Sequence, residues 1–142
     1  MTSSKQTVKL NTHINFNGQC EAAFKFYAQA LGGNIVTMLT WGKSPLAGQV
    51  SPEWREKICH ASLQIEGNEL AGTDVPPAEV QAPQGFQLLV DMNDLREAKR
   101  VFEALAERGT VRMPLQKTFW AGLYGIAIDQ FGLSWEINCS DD

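Results

Sequence analysis

Clustered positive charge, long apolar runs and paired cysteines are all missing from this chain of 142 residues. Its 12 Lys and Arg are scattered among 16 Asp and Glu, for a net charge of -4. Phosphate binding needs a concentrated basic patch, so nucleic acid is excluded as a partner. No apolar run approaches the ~20 residues of a membrane helix, and the opening MTSSKQTVKL carries no apolar signal-peptide core. The three cysteines, Cys20, Cys59 and Cys139, form no CxxC pair, which argues against a disulfide framework and a zinc knuckle. Reduced thiols and a cytoplasmic location are the expectation. Cys20 falls in the first turn of an expected helix, where the dipole lowers a thiol pKa; burial as a small apolar residue is the plainer reading. Histidines number two, His13 and His60. No glycine-rich strand-to-helix turn for a nucleotide-like cofactor follows any expected strand.

What is present is organised around Pro114–Cys139, PLQKTFWAGLYGIAIDQFGLSWEINC. Leu123–Asp129 runs apolar, Gln130-Phe131-Gly132 turns, and Leu133–Cys139 alternates. Leu133, Trp135, Ile137 and Cys139 point one way; Ser134, Glu136 and Asn138 point the other. This pattern predicts a hairpin with a core behind it and a polar face in front. Upstream, Val8–Phe16 reads as a strand with Leu10, Thr12, Ile14 and Phe16 opposite Asn11, His13 and Asn15. Asn17 is placed to cap a helix over Glu21–Leu31, whose apolar stripe is Ala23, Phe26, Tyr27 and Ala30. Asn34–Trp41 is a strand, and Gly42–Glu56 a long loop of the kind used as lids or interface arms. Lys57–Glu66 and Glu69–Asp74 form a hairpin across Gly67-Asn68, with His60, Ser62 and Gln64 on the polar face.

After a Pro-rich linker at 75–84 the order recurs. A strand over Gly85–Asp91, a helix over Leu95–Glu107 and a strand over Thr110–Met113 precede the terminal stretch. The helix stripes superpose at a shift of 75, pairing Ala23 with Ala98, Phe26 with Val101, Tyr27 with Phe102 and Ala30 with Leu105. The expected architecture is α+β: two βαβββ modules, 8–74 and 85–139, within one domain spanning 1–142, forming a cupped mixed sheet with one helix behind each module.

Two such modules resemble the vicinal oxygen chelate superfamily of glyoxalase I, extradiol dioxygenases and bleomycin-resistance proteins. The segments FNGQCEAAFKFYAQALGG, SPEWREKICHASLQIEGNELAGTD and PLQKTFWAGLYGIAIDQFGLSWEINC are similar to its PhnB-like branch, also labelled demethylubiquinone methyltransferase-like. The resemblance implies a homodimer. In the superfamily's enzymes it implies a divalent metal held by the first and last strands of each module. The matching positions here are Asn11 (the usual ligand position, with His13 beside it), Gly85, Gln87 or Leu89, Glu69 or Ala71, and Glu136. One carboxylate among neutral amides does not make a tight divalent site, so no cofactor and no stoichiometric metal is expected. Were a metal to bind, Glu136, Gln87, Asn11 and His13 would hold it.

Glu136 is the best candidate for chemistry, because an acid on an otherwise apolar strand must be paired, bound to metal or acting as a base. His13 and His60 suit ligation or general-base work and equally suit half-exposed strand faces. Trp41, Trp54, Thr118 and Trp120, with Lys117 nearby, are placed to border a pocket. The expected ligand pocket is therefore Asn11, His13, Trp41, Trp54, His60, Gln87, Thr118, Trp120 and Glu136. Three functions stay open at this point. The first is a small-molecule binder of unassigned activity, and the second a metal-dependent glyoxalase- or dioxygenase-type enzyme using Glu136 as ligand or base. The third is a structural homodimer.

Overall fold

The computed structural model describes residues 6–140. Module one is β1 (Thr12–Phe16), α1 (Cys20–Leu31), β2 (Asn34–Thr40), β3 (Ile58–Ile65) and β4 (Asn68–Asp74). Module two is β5 (Leu88–Met92), α2 (Leu95–Ala106), β6 (Thr110–Gln116), β7 (Leu123–Ile128) and β8 (Ser134–Cys139). Each module makes its own four-stranded sheet, ordered β1-β4-β3-β2 and β5-β8-β7-β6. The β1–β4 and β5–β8 pairs are parallel and the others antiparallel. The fold is α+β, with two βαβββ modules of mixed sheet and a helix behind each. Both helices have 12 residues, and both their first and their last residues stand 75 positions apart, as the repeat predicts.

The helices lie where the apolar stripes require. Ala98, Val101, Phe102 and Leu105 of α2 are buried against the β7–β8 face that carries Ala127, Trp135, Ile137 and Cys139. On α1 the buried stripe is Cys20, Ala23, Phe24, Tyr27 and Ala30. Phe24 thus replaces the expected Phe26, which is half-buried at the seam between modules. A Cβ on Gly72 would come within 2.7 Å of the Phe24 ring, so glycine in β4 is what lets α1 sit this close.

Between modules the core is aromatic. Tyr27 meets Phe131 and Trp135 with ring centroids 6.1 and 5.3 Å apart, and Phe16 and Phe26 also contact Phe131. Offset and edge-on pairs of this kind add about 0.5–1.5 kcal/mol each beyond their burial. Arg100 of α2 donates to the Ala30 carbonyl at 3.1 Å, supplying the cation that the last turn of α1 lacks.

Several boundaries differ from the expectation. β1 begins at Thr12 and not at Val8; Leu10 is 97% exposed and adds nothing to the ladder. β5 begins at Leu88, because Gly85, at φ +83°, still turns the chain. β6 runs through Pro114 to Gln116. As the edge strand it has no neighbour to receive the missing N–H, and its register slips between Met113 and Gln116. The 42–56 segment holds three short 3-10 turns and is tied at its base by Trp41 N–H to the Lys57 carbonyl and Gly42 N–H to the Arg55 carbonyl, both at 2.8 Å.

Asn17 does not cap α1. Asp74 does so from the end of β4, where its Oδ1 accepts from Gly18 N at 2.8 Å and Cys20 N at 3.0 Å and its Oδ2 from Ile58 N at 2.8 Å. A buried carboxylate reaching three backbone donors outcompetes a local amide side chain. The second helix is capped by its own Asp94.

Candidate functional site

The helix-free face of module two gathers a set of polar and aromatic side chains. Because β8 alternates, Ser134, Glu136 and Asn138 stand on this face while Trp135 and Ile137 are buried beneath α2. The hairpin register sets Tyr124 opposite Asn138 and Ile126 opposite Glu136; on the other side Leu89 faces Glu136 and Asp91 faces Asn138. From its diagonal position, Tyr124 donates its hydroxyl to Glu136 Oε1 in a short hydrogen bond. Asn138 accepts from Trp120 Nε1 at 3.2 Å and donates to Asp91 Oδ1 at 3.0 Å. Trp120 lies edge-on to Tyr124 at 5.2 Å, and Phe119 edge-on to Trp120 at 4.6 Å.

Thr118 builds the turn that presents these rings, its hydroxyl accepting from Ala121 N at 3.1 Å and its own N–H bonding the Ala121 carbonyl. Phe119 is 96% and Trp120 54% exposed, yet the indole is held by Asn138. The hydrogen bond to Glu136, then burial and the nearby negative charge, push the Tyr124 hydroxyl up to about 12. Tyr124 therefore stays a donor at neutral pH, holding the Glu136 carboxylate in place on this face.

The other expected residues are dispersed. His13 and Asn15 line a groove of about 800 Å³ between β1 and the linker, with Glu79, Gln81, Gln84 and Phe86. Asn11 and His60 are exposed. Trp41 donates Nε1 to the Asp74 carbonyl at 3.2 Å and so closes module one. Trp54 Nε1 is buried without a partner. Gln87 lies one residue before β5, where the register places it beside Ser134 on the Glu136 face. Its Oε1 and the Ser134 hydroxyl are both buried and unpartnered. Sequence reasoning missed Tyr124, Asn138 and Asp91 as site residues. The first two were readable by folding the last hairpin about its turn, which sets Tyr124 and Asn138 side by side.

The divalent metal of the chelate fold does not fit these residues. Among the described residues no three His, Cys, Asp or Glu side chains converge. Glu136 already accepts from Tyr124, and its neighbours are amides and a hydroxyl. A nucleotide-like methyl donor held at a strand-to-helix turn fits no better, because Asp74 fills the N-terminus of α1 and Asp94 that of α2. Cys20, in the first turn of α1, is no nucleophile either: burial, with Asp74 and Glu21 nearby, pushes its thiol far up.

Comparison with known proteins places this arrangement in a family. The model of the family described as 3-demethylubiquinone-9 3-methyltransferase matches residues 8–138. The chain belongs to that family. It is 32% identical over 137 residues to Protein YjdN of Escherichia coli (strain K12), covering 91% of this chain and 93% of that one. It is 38% identical to protein PA1353 of Pseudomonas aeruginosa, with a TM-score of 0.87 over 96% of this chain and all of the other. A PhnB protein of Bacillus cereus, a putative 3-demethylubiquinone-9 3-methyltransferase, is 25% identical with a TM-score of 0.78, over 94% of this chain and all of the other. The fold extends to a glyoxylase/bleomycin resistance protein/dioxygenase domain from Frankia, 10% identical with a TM-score of 0.64 over 96% and 99% of the two chains. The family assignment confirms the PhnB-like resemblance. No helix of the described residues is long and apolar enough to cross a membrane.

Proposed function

We propose that this protein binds a small organic ligand on the open face of module two, against Phe119, Trp120 and Tyr124, with Glu136 and Asn138 fixing its polar groups. The supporting observation is that the Trp120 and Tyr124 rings are held on this face in a defined arrangement by hydrogen bonds to Asn138 and Glu136, with Phe119 edge-on to Trp120. Rings exposed and ordered in this way are the usual walls of a small-molecule site. The donor set around Glu136 supports recognition over metal-assisted turnover. Three cysteines without a disulfide among them support a reducing, cytoplasmic setting. Exposed Leu10, Phe86 and Leu89, which line grooves along the β1 and β5 edges, support a homodimer in which such apolar surface is covered.

The reading is tested by screening a chemically broad library against the purified protein by thermal shift, and repeating the hits on Trp120→Ala. Hits that raise Tm in the parent and lose at least about tenfold in affinity with the variant support it. A library without a hit, or hits indifferent to Trp120, would remove the site. Light scattering at micromolar concentration tests the dimer, and a monomer mass would rule it out.

A further inference from the structure

We infer that the ligand of this face is an organic cation, an ammonium or guanidinium group carried on an apolar body; the inference rests on the binding reading above. The charged hydrogen-bonding capacity of the site is one-sided. Tyr124 has spent its hydroxyl proton on Glu136, and Trp120 its indole N–H on Asn138, which itself donates to Asp91. The donors that remain, the Ser134 hydroxyl among them, are neutral. Glu136 and Asp91 each keep a second carboxylate oxygen with no partner among the described residues. A ligand that satisfies these two carboxylates must bring hydrogens.

The surrounding charge has the same sign. The groove of about 520 Å³ between β1 and β5 includes Glu66, Glu69, Gln87 and Asp91 in its wall. An adjoining groove shares Glu66 and Asp91 and adds Asp94 and Glu97. Asp94 is occupied with capping α2 and Glu97 with Arg100, which leaves Glu66, Glu69 and Asp91 in these grooves with no cationic partner among the described residues, beside Glu136 on the sheet face. Among the described residues no Lys or Arg lines either groove. Walls of one sign focus the field and raise the local concentration of oppositely charged ligands.

The rings of Phe119, Trp120 and Tyr124 extend this preference, because aromatic faces attract ammonium and guanidinium groups through their quadrupoles. A metal ion would not use the same charges. Asp91 and Glu136 stand on neighbouring strands two positions out of register, roughly 8 Å apart along the backbone. Metal ligands must meet within about 2.0–2.6 Å of one point. Carboxylates spaced across a face that also carries exposed rings suit an extended organic cation.

The test titrates 2-phenylethylammonium, 2-phenylethanol and phenylacetate, which share one aromatic body, at neutral pH while following the Trp120 indole by NMR. The ammonium is expected to bind about tenfold or more tighter than the alcohol, with the carboxylate weakest and the preference shrinking as salt rises. Glu136→Gln keeps an acceptor for Tyr124 and removes the charge, so it should bring the ammonium down toward the alcohol. Asp91→Asn, at an exposed position, provides the same comparison should the first variant misfold. An alcohol or carboxylate that binds as well as the ammonium would overturn the cation assignment while leaving the site standing. Library hits that depend on Trp120, together with no response to the ammonium, would overturn it as well. Loss of the site itself shows separately, as a library with no Trp120-dependent hit.

Discussion

Tyr27 of α1 donates its hydroxyl to Asp129 Oδ2 at 2.7 Å, across 102 residues of sequence and from one module to the other. Asp129 is 3% exposed and fully engaged. The same oxygen accepts from Trp135 Nε1 at 2.8 Å, while Oδ1 accepts from Phe131 N and Leu133 N at 2.8 and 3.1 Å. One carboxylate thus shapes the β7–β8 turn and fastens it to the opposite helix. A hydrogen bond to a charged group contributes about 1.5–3 kcal/mol, and a buried donor left unpaired costs a similar amount. Tyr27→Phe is therefore expected to lower unfolding stability by about 1.5–3 kcal/mol with an unchanged urea slope. A change below ~0.5 kcal/mol would show that the bond does not hold the modules together.

The cap of α1 gives a paired comparison. Asp74, 1% exposed, serves three backbone donors, whereas Asn17 is exposed. Asp74→Ala should cost roughly 2–4 kcal/mol and Asn17→Ala less than ~0.5 kcal/mol in the same denaturant series. The reverse order would return the cap to Asn17.

Alkaline titration should distinguish the two tyrosines. An unperturbed phenol ionises near pH 10. Burial, with Asp129 beside it, pushes Tyr27 far above that, and Tyr124 stands at about 12. Both folded values exceed the unfolded one. Their contribution to stability is therefore complete below about pH 10 and is lost as pH rises from there, through about 12 for Tyr124. Phenolate absorbance should show no step near pH 10 in the folded protein, and Glu136→Gln should draw the Tyr124 step back toward 10. A full step at pH 10 in the native protein would contradict both hydrogen bonds.

Thiol labelling should be selective. Cys20 and Cys139 are buried and Cys59 is half-exposed, so iodoacetamide is expected to modify Cys59 first in native protein and all three after unfolding. Rapid native labelling of Cys20, read by peptide mass spectrometry, would mean that the end of α1 opens.

Period and spacing carried the fold well. Strands β4, β7 and β8 and both helices follow the alternation and the 75-residue repeat to within a residue or two, because each buries one face and the pattern records which. What remained hidden depends on contacts between distant residues. Asp74 and Asp129 look like ordinary strand-end acids in sequence. Nothing local says that one caps a helix 54 positions earlier or that the other receives a tyrosine from the other module. The candidate site was half legible for the same reason. Glu136 stood out as a charge on an apolar strand, and Trp120 as an aromatic in a loop. Tyr124 sat unnoticed within an apolar run until the hairpin register brought it to Glu136. The Trp41 indole bond to the Asp74 carbonyl was hidden in the same way, because its partner lies 33 positions away.

The confinement of strand hydrogen bonds to each module also has a kinetic consequence. Every β pairing joins strands of the same half of the chain, so each sheet can form without the other, and its loops close over shorter spans than contacts between modules require. The Tyr27–Asp129 bond and the rings around it are expected to form as two largely built halves dock, after the transition state of folding. Weakening them should accelerate unfolding while leaving the refolding rate nearly unchanged, which makes the seam between modules, and not either sheet, the place where the native lifetime of this protein is set.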